Sequence, residues 1–192
     1  VQAPSGSYRI DARCVIWAAG VAASPLGRQL AAVTGAETDR AGRIVVQADL
    51  SIPGHPEISV GGDLAAAKSH APGKDPQPVP GVSPGAKQMG RAIAANILRR
   101  MKGQATVPFR YMDYGNLATI GRNAAVVDLA SPVGHFKFSG RMAWLFWLFA
   151  HVYFLIGFRN RAVVLLDWAG AYWSKQRYAR VITDIDRAPQ DK

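Results

Sequence analysis

The sequence predicts an α/β protein with an antiparallel strand region and a helical, aromatic carboxy-terminal part. Three observations carry this reading. Short apolar runs ending at glycines, with one amphipathic helix, fill the chain up to position 101; alternating runs between glycine turns follow; and the stretch 141–182 concentrates the aromatic residues. Of the 192 residues 49% are hydrophobic, and the 19 glycines and 12 prolines show no fixed period, which excludes a disordered or collagen-like chain. The net charge of +10 predicts an anionic partner. A single cysteine excludes a disulfide framework, a redox-active cysteine pair and a four-cysteine zinc site within this chain.

The apolar run 14–20 (CVIWAAG) stops at Gly20 and reads as a buried strand entering a turn, with Cys14 as a core thiol. Residues 42–50 and 57–67 read as two further strands, separated by the turn Ile52, Pro53, Gly54. Pro72, Pro76, Pro78 and Pro80 make the following stretch a surface linker. A helix over 83–101 is predicted by Ser83 as cap, Pro84 in the first turn and a stripe through Ala86, Met89, Ile93 and Ile97; Gly103 stops it. Residues 109–129 and 135–140 alternate around glycines as an antiparallel meander would.

Residues 142–158 have His151 as their one conspicuously polar side chain. As one helix they would reach about 25 Å, short of the roughly 30 Å hydrocarbon core of a bilayer. Arg141, Arg159 and Arg161 flank them, and tryptophans cluster near the first end, as at a membrane interface. An amphipathic helix over 162–178 follows, with Lys175, Arg177 and Arg180 extending the charge. The expected partner is therefore membrane lipid, with spanning and surface orientations both open; a core helix pair or a homodimer is the alternative. Nucleic acid is not expected, because these cations bracket apolar segments rather than line a polar surface.

Chemistry is expected around 58–65 (ISVGGDLA). A strand ending in Gly61, Gly62 and Asp63 places a carboxylate where open α/β sheets bind ligands, and the glycines admit a close approach to the backbone. Asp63 can accept hydrogen bonds from a sugar-like hydroxyl; an ordinary helix cap is the alternative. His55, His70 and His135 lack metal-ligand spacing, so no metal site is expected, and His151 reads as a hydrogen-bonded structural residue or a proton donor.

WAAG, VGGD, PGVSPGAKQMG, YGNLATIGR and WLFWLFAHVYFLIGFRNR occur in the order found in type II NADH dehydrogenases, the non-pumping NADH:quinone oxidoreductases, which the chain resembles from about 14 to 182. The resemblance implies part of a flavoprotein fold with two dinucleotide-binding domains. It implies FAD as cofactor, NADH and a membrane quinone as substrates, and a place on the cytoplasmic face of the inner membrane. Asp63 would hold the ribityl chain of FAD, with Gly20, Gly62, Leu64 and Ala86 close to the cofactor; Gln88, Met89 and Tyr114 would lie on the quinone side. Catalytic residues are not assigned. The family's Ala-Gln pair reads Ser83, Pro84 here, and Tyr114 stands where many members carry a cation.

No G-x-G-x-x-G fingerprint occurs. The expectation is a carboxy-terminal portion of a longer enzyme that alone binds FAD poorly and NADH hardly at all. The alternative is a non-catalytic membrane-targeting module with a decayed flavoprotein fold. The organisation expected is 1–104 as the end of the nucleotide-binding domains, 105–140 as antiparallel strands, 141–182 as membrane-anchoring helices and 183–192 as a tail.

Overall fold

The computed structural model describes residues 2–3, 6–7, 13–14, 22–131, 134–155 and 157–174. It divides into two compact units, Val1–Met112 and Asp113–Lys192. The strand expected over 14–20 and the basic stretch beyond 174 lie outside the described residues, apart from Cys14. That thiol is exposed in an irregular stretch, not buried in a core.

The first unit opens with the two-residue strands β1 (Gln2–Ala3) and β2 (Gly6–Ser7), paired antiparallel. Helix α1 (Pro25–Thr34) follows, an element the sequence reading did not foresee. Its signals are local: the Ser24 hydroxyl accepts from the Leu26 amide, Pro25 sits in the first turn, and Gly35 ends the helix in a left-handed conformation. The strand expected over 42–50 shrinks to β3 (Ile44–Val45), because the chain turns at once through 47–50, where Leu50 takes φ 71° and is fully buried. β4 (Ser51–Ile52) pairs antiparallel with β5 (His55–Ser59).

Residues 57–67 are not one strand. After β5 the chain makes a 3₁₀ turn over Gly62–Leu64, then β6 (Ala65–Ala66), which pairs parallel with β3. β7 (Lys68–Ser69) pairs antiparallel with β8 (Gln77–Pro78), so the proline-rich linker contributes one short edge strand.

Helix α2 (Ser83–Met101) has the extent the stripe predicts, with Val82 rather than Ser83 as its cap residue. Its inner face meets a core of Ile44, Leu50, Ile52, Val60, Met89 and Phe109. Asn96 is buried; its amide donates to the Val107 carbonyl at 3.0 Å and accepts from the Val107 N–H at 2.9 Å. One turn on, Arg100 donates to the Asp49 carboxylate at 2.8 Å and also to the Pro56 carbonyl. Burial pushes the Asp49 carboxyl up, but hydrogen bonds from the Ser51 hydroxyl and amide and from Thr106, with the Arg100 charge, outweigh it and hold the group below its ordinary value.

The second unit is a three-stranded antiparallel meander with a helical hairpin. β9 (Asn116–Ile120), β10 (Ala124–Ser131) and β11 (Gly134–Gly140) pair in the order β11-β10-β9. Gly115 enters this sheet at φ 92°, where a Cβ would collide with the Asp128 carbonyl. Helix α3 (Arg141–Tyr153) lays Ala143, Phe146 and Trp147 against Ala125 and Val127. The chain turns at 154–155, and Gly157, at φ 83°, precedes α4 (Phe158–Ser174). The single helix expected over 142–158 is therefore two helices, because the turn falls inside the apolar run. Among the described residues no helix is long and apolar enough to cross a membrane.

The Asp49 network gives a pH dependence with a definite sign. A carboxyl held low by folding stabilises the protein above its ordinary pKa of about 4, and that contribution is lost as pH falls through the folded value. Asp49→Asn should cost roughly 1–2 kcal/mol at neutral pH and converge on wild type in acid. Urea unfolding from neutrality downward checks this, and parallel pH curves for the two proteins would refute it.

Candidate functional site

In the first unit α2 packs directly on the 3₁₀ turn. A Cβ on Gly61 would lie 3.0 Å from Ile93 Cδ1 and 3.3 Å from Met89 Cβ, so only glycine lets the helix approach so closely. Gly62 has φ 73°, and its N–H points at the Met89 sulfur at 3.4 Å. This conformation swings the chain round so that Asp63 stands exposed at the end of the turn.

A cavity of about 160 Å³ opens there. Gly62, Asp63, Gly81, Ala86, Met89 and Arg43 are among the residues lining it. Arg43 is engaged by Asp39 through Nε at 2.7 Å and a second nitrogen at 2.7 Å. Slight burial raises the Asp39 carboxyl, but bonds from the Arg43 backbone and guanidinium dominate and hold it low. No hydrogen bond or ion pair among the described residues uses the Asp63 carboxylate. An unpaired carboxylate at a rim of small residues is an acceptor for ligand hydroxyls that come close to the backbone. The volume suits a sugar-sized segment, well below the roughly 300 Å³ at which whole-ligand pockets begin.

Four residues singled out from the sequence thus meet at one cavity: Gly62, Asp63, Ala86 and Met89. Leu64 turns away into the core, its Cδ1 3.0 Å from where a Cβ on Gly27 would sit. Met89 is 3% exposed, so it serves the packing as much as the cavity wall. Gly20 lies outside the described residues. Tyr114 is exposed in the second unit. Gln88 lines a different groove, and both ends of its amide are in use: Nε2 donates to the Met112 carbonyl at 2.9 Å, and Oε1 accepts from the Met112 N–H at 2.8 Å. Its geometry is that of a clasp on the 107–112 segment. Arg43 and Gly81 were not foreseen; a glycine between Pro80 and Val82, just before a helix, was the available signal for the second.

In the second unit the helical hairpin holds an apolar cleft of about 790 Å³ lined by Trp144, Trp147, Leu165, Trp168 and Tyr172, with Arg122 at its edge. Trp147 stacks on Trp168 at 5.6 Å and on His151 at 3.9 Å. His151 Nδ1 lies 2.8 Å from the Trp147 carbonyl, which accounts for it as a structural residue of α3. The opposite face of α3 leaves Met142, Leu145, Phe149 and Tyr153 exposed, and Phe154 and Phe158 are exposed as well.

Residues 114–173 match the family model described as the NDH2 C-terminal domain. The type II NADH:quinone oxidoreductase Ndh of Mycobacterium tuberculosis is 42% identical over 179 residues, which cover 92% of this chain and 36% of that protein. NdhA of the same organism, also named a type II NADH:quinone oxidoreductase, is 42% identical over 183 residues, 93% of this chain and 36% of the relative. The type II NADH:quinone oxidoreductase of Staphylococcus haemolyticus is 35% identical over 118 residues, 62% of this chain and 27% of its own. The chain thus spans little more than a third of the length of the curated relatives it matches best among these.

The clasp reading of Gln88 has its own test. Gln88→Ala removes two backbone bonds at a half-exposed position and should cost about 1 kcal/mol. Hydrogen exchange at the Met112 amide should accelerate several-fold, while exchange within β10 stays unchanged. Unaltered protection at Met112 would refute the clasp.

Proposed function

The chain belongs to the type II NADH dehydrogenase family, as a carboxy-terminal portion, and on that premise we propose that it supplies part of the cofactor cradle and the membrane attachment of an FAD-dependent NADH:quinone oxidoreductase. The observation that carries the reading is the unpaired Asp63 carboxylate at a cavity walled by Gly62, Gly81 and Ala86. FAD, when bound, supplies the two-electron redox chemistry that links NADH to quinone.

The residues of this chain bind and orient. Asp63 accepts hydrogen bonds from the hydroxyls of the cofactor's ribityl chain, and a charged acceptor strengthens each of them. Gly62 and Ala86 keep the wall thin enough for that chain to run along the backbone. Met89 holds the turn in place through its sulfur, so the carboxylate is set before the ligand arrives. The glycine-rich fingerprints for the two dinucleotides, and the other half of the two-domain fold, belong to the remainder of the enzyme.

The hairpin α3–α4 provides the attachment. A strip of Met142, Leu145, Phe149, Tyr153, Phe154 and Phe158 enters the interface of the inner membrane from its cytoplasmic face. Arg141, Arg159 and Arg161 bracket the strip and meet anionic headgroups, each worth about 1 kcal/mol. An apolar quinone then reaches the enzyme from lipid without crossing water.

In the full-length protein Asp63→Ala should weaken flavin retention about tenfold, the loss of one or two charge-assisted bonds, and Asp63→Asn should fall between. Flavin absorbance per protein after gel filtration reads this; equal retention in all three removes Asp63 from the site. A wild-type protein that purifies colourless yet binds lipid would instead establish the membrane-targeting module. Replacing Leu145, Phe149 and Phe158 together by serine should abolish flotation with liposomes and leave flavin content intact. Undiminished flotation would place the attachment elsewhere.

A further inference from the structure

The groove beside α2 that Gln88 borders has a chemistry the redox reading does not use. The segment 107–112 is laid antiparallel along the helix by two amide clasps, Asn96 to Val107 and Gln88 to Met112, two helical turns apart. Phe109 between them is 2% exposed and pins the segment to the core. The groove so formed holds about 430 Å³, within the range of small-ligand pockets.

Its ionisable lining is cationic throughout. Arg91 and Arg99 come from α2 and Arg110 from the clasped segment, and among the described residues no carboxylate lines the groove. The amides of Gln88 and Asn96 are spent on the clasps. Arg99 uses its Nε on the Ala105 carbonyl at 2.6 Å, which fixes the side chain and leaves its two terminal nitrogens. Among the described residues Arg91 and Arg110 have no ion-pair or hydrogen-bond partner, whereas the neighbouring Arg100 is neutralised by Asp49. Three guanidiniums on two joined elements line one open volume, and guanidinium forks match phosphate oxygens.

We propose that this groove binds a phosphate-bearing anion of pyrophosphate class, gripped by Arg91, Arg99 and Arg110. Three cations match the three to four negative charges of a diphosphate better than a single carboxylate. The site is separate from the Asp63 cavity, and the proposal does not depend on the redox assignment. Phosphate oxygens are offered both by a free diphosphate and, with a single negative charge, by a phospholipid headgroup, which the test separates.

The experiment titrates inorganic pyrophosphate calorimetrically into the full-length protein and into two double variants of equal charge change. Arg91→Gln with Arg110→Gln removes the groove cations; Arg28→Gln with Arg40→Gln removes two exposed arginines elsewhere in the same unit. Saturable binding is expected, weakened at least about tenfold by the first pair and unchanged by the second. Circular dichroism should show both variants folded, since all four side chains are exposed. Vesicles of phosphatidylglycerol are run in parallel: a first pair that also weakens vesicle binding identifies a headgroup as the source, and one that leaves it intact identifies a soluble anion. No saturable pyrophosphate uptake, or equal weakening by both pairs, overturns the proposal.

Discussion

The contact between α2 and the glycine turn at 61–62 is the constraint on which the first unit depends. Gly61 gives α2 room to come within van der Waals distance of the backbone, and the positive φ of Gly62 reverses the chain against it. A side chain at position 61 would push Ile93 and Met89 outward, and with them the inner face of the helix. The Asp63 carboxylate, the Ala86 wall and the groove on the far side of α2 all take their positions from that approach. Met89 joins both roles, as a core residue and as acceptor for the Gly62 amide.

Polar contacts then lock the helix along its length, in addition to the apolar packing of its inner face. Gln88, Asn96 and Arg100 lie at intervals of eight and four residues and bind, in turn, the backbone of Met112, the backbone of Val107, and Asp49 with Pro56. Backbone groups in an irregular segment need such partners: Phe109 finds them in the backbone of Ala48 and His70, and Val107 and Met112 find them in these side chains. A glutamine that family likeness assigns to the quinone side has both ends of its amide on the backbone of Met112.

In the second unit the same economy of contacts appears in aromatic form. α3 is apolar on every side, yet only one side has a sheet to cover it. Its inner residues bury Ala125 and Val127, its flank stacks on α4 through Trp147 and Trp168, and the remaining strip from Met142 to Phe158 stays exposed. Exposed apolar area of this kind is characteristic of interaction surfaces rather than of free ones. The apolar run is divided between two helices, with Gly157 at φ 83° where the second begins.

By itself the sequence determined the elements whose signals are local. The 3.6-residue stripe, Pro84 and Gly103 set α2; the alternation between glycines set the meander; the composition of 141–182 set an aromatic helical region. The same kind of signal at Ser24, Pro25 and Gly35 was present for α1, though a short helix among apolar runs is easily passed over. Family likeness pointed to Asp63, Gly62 and Ala86, which the fold brings to one cavity. Only tertiary structure decided that Leu64 faces inward, that Gln88 and Asn96 clasp backbone, that 142–158 bends, and that Arg91, Arg99 and Arg110 share a groove. Each of these rests on a meeting of residues far apart in the chain, and periodicity records only what neighbours along one element do.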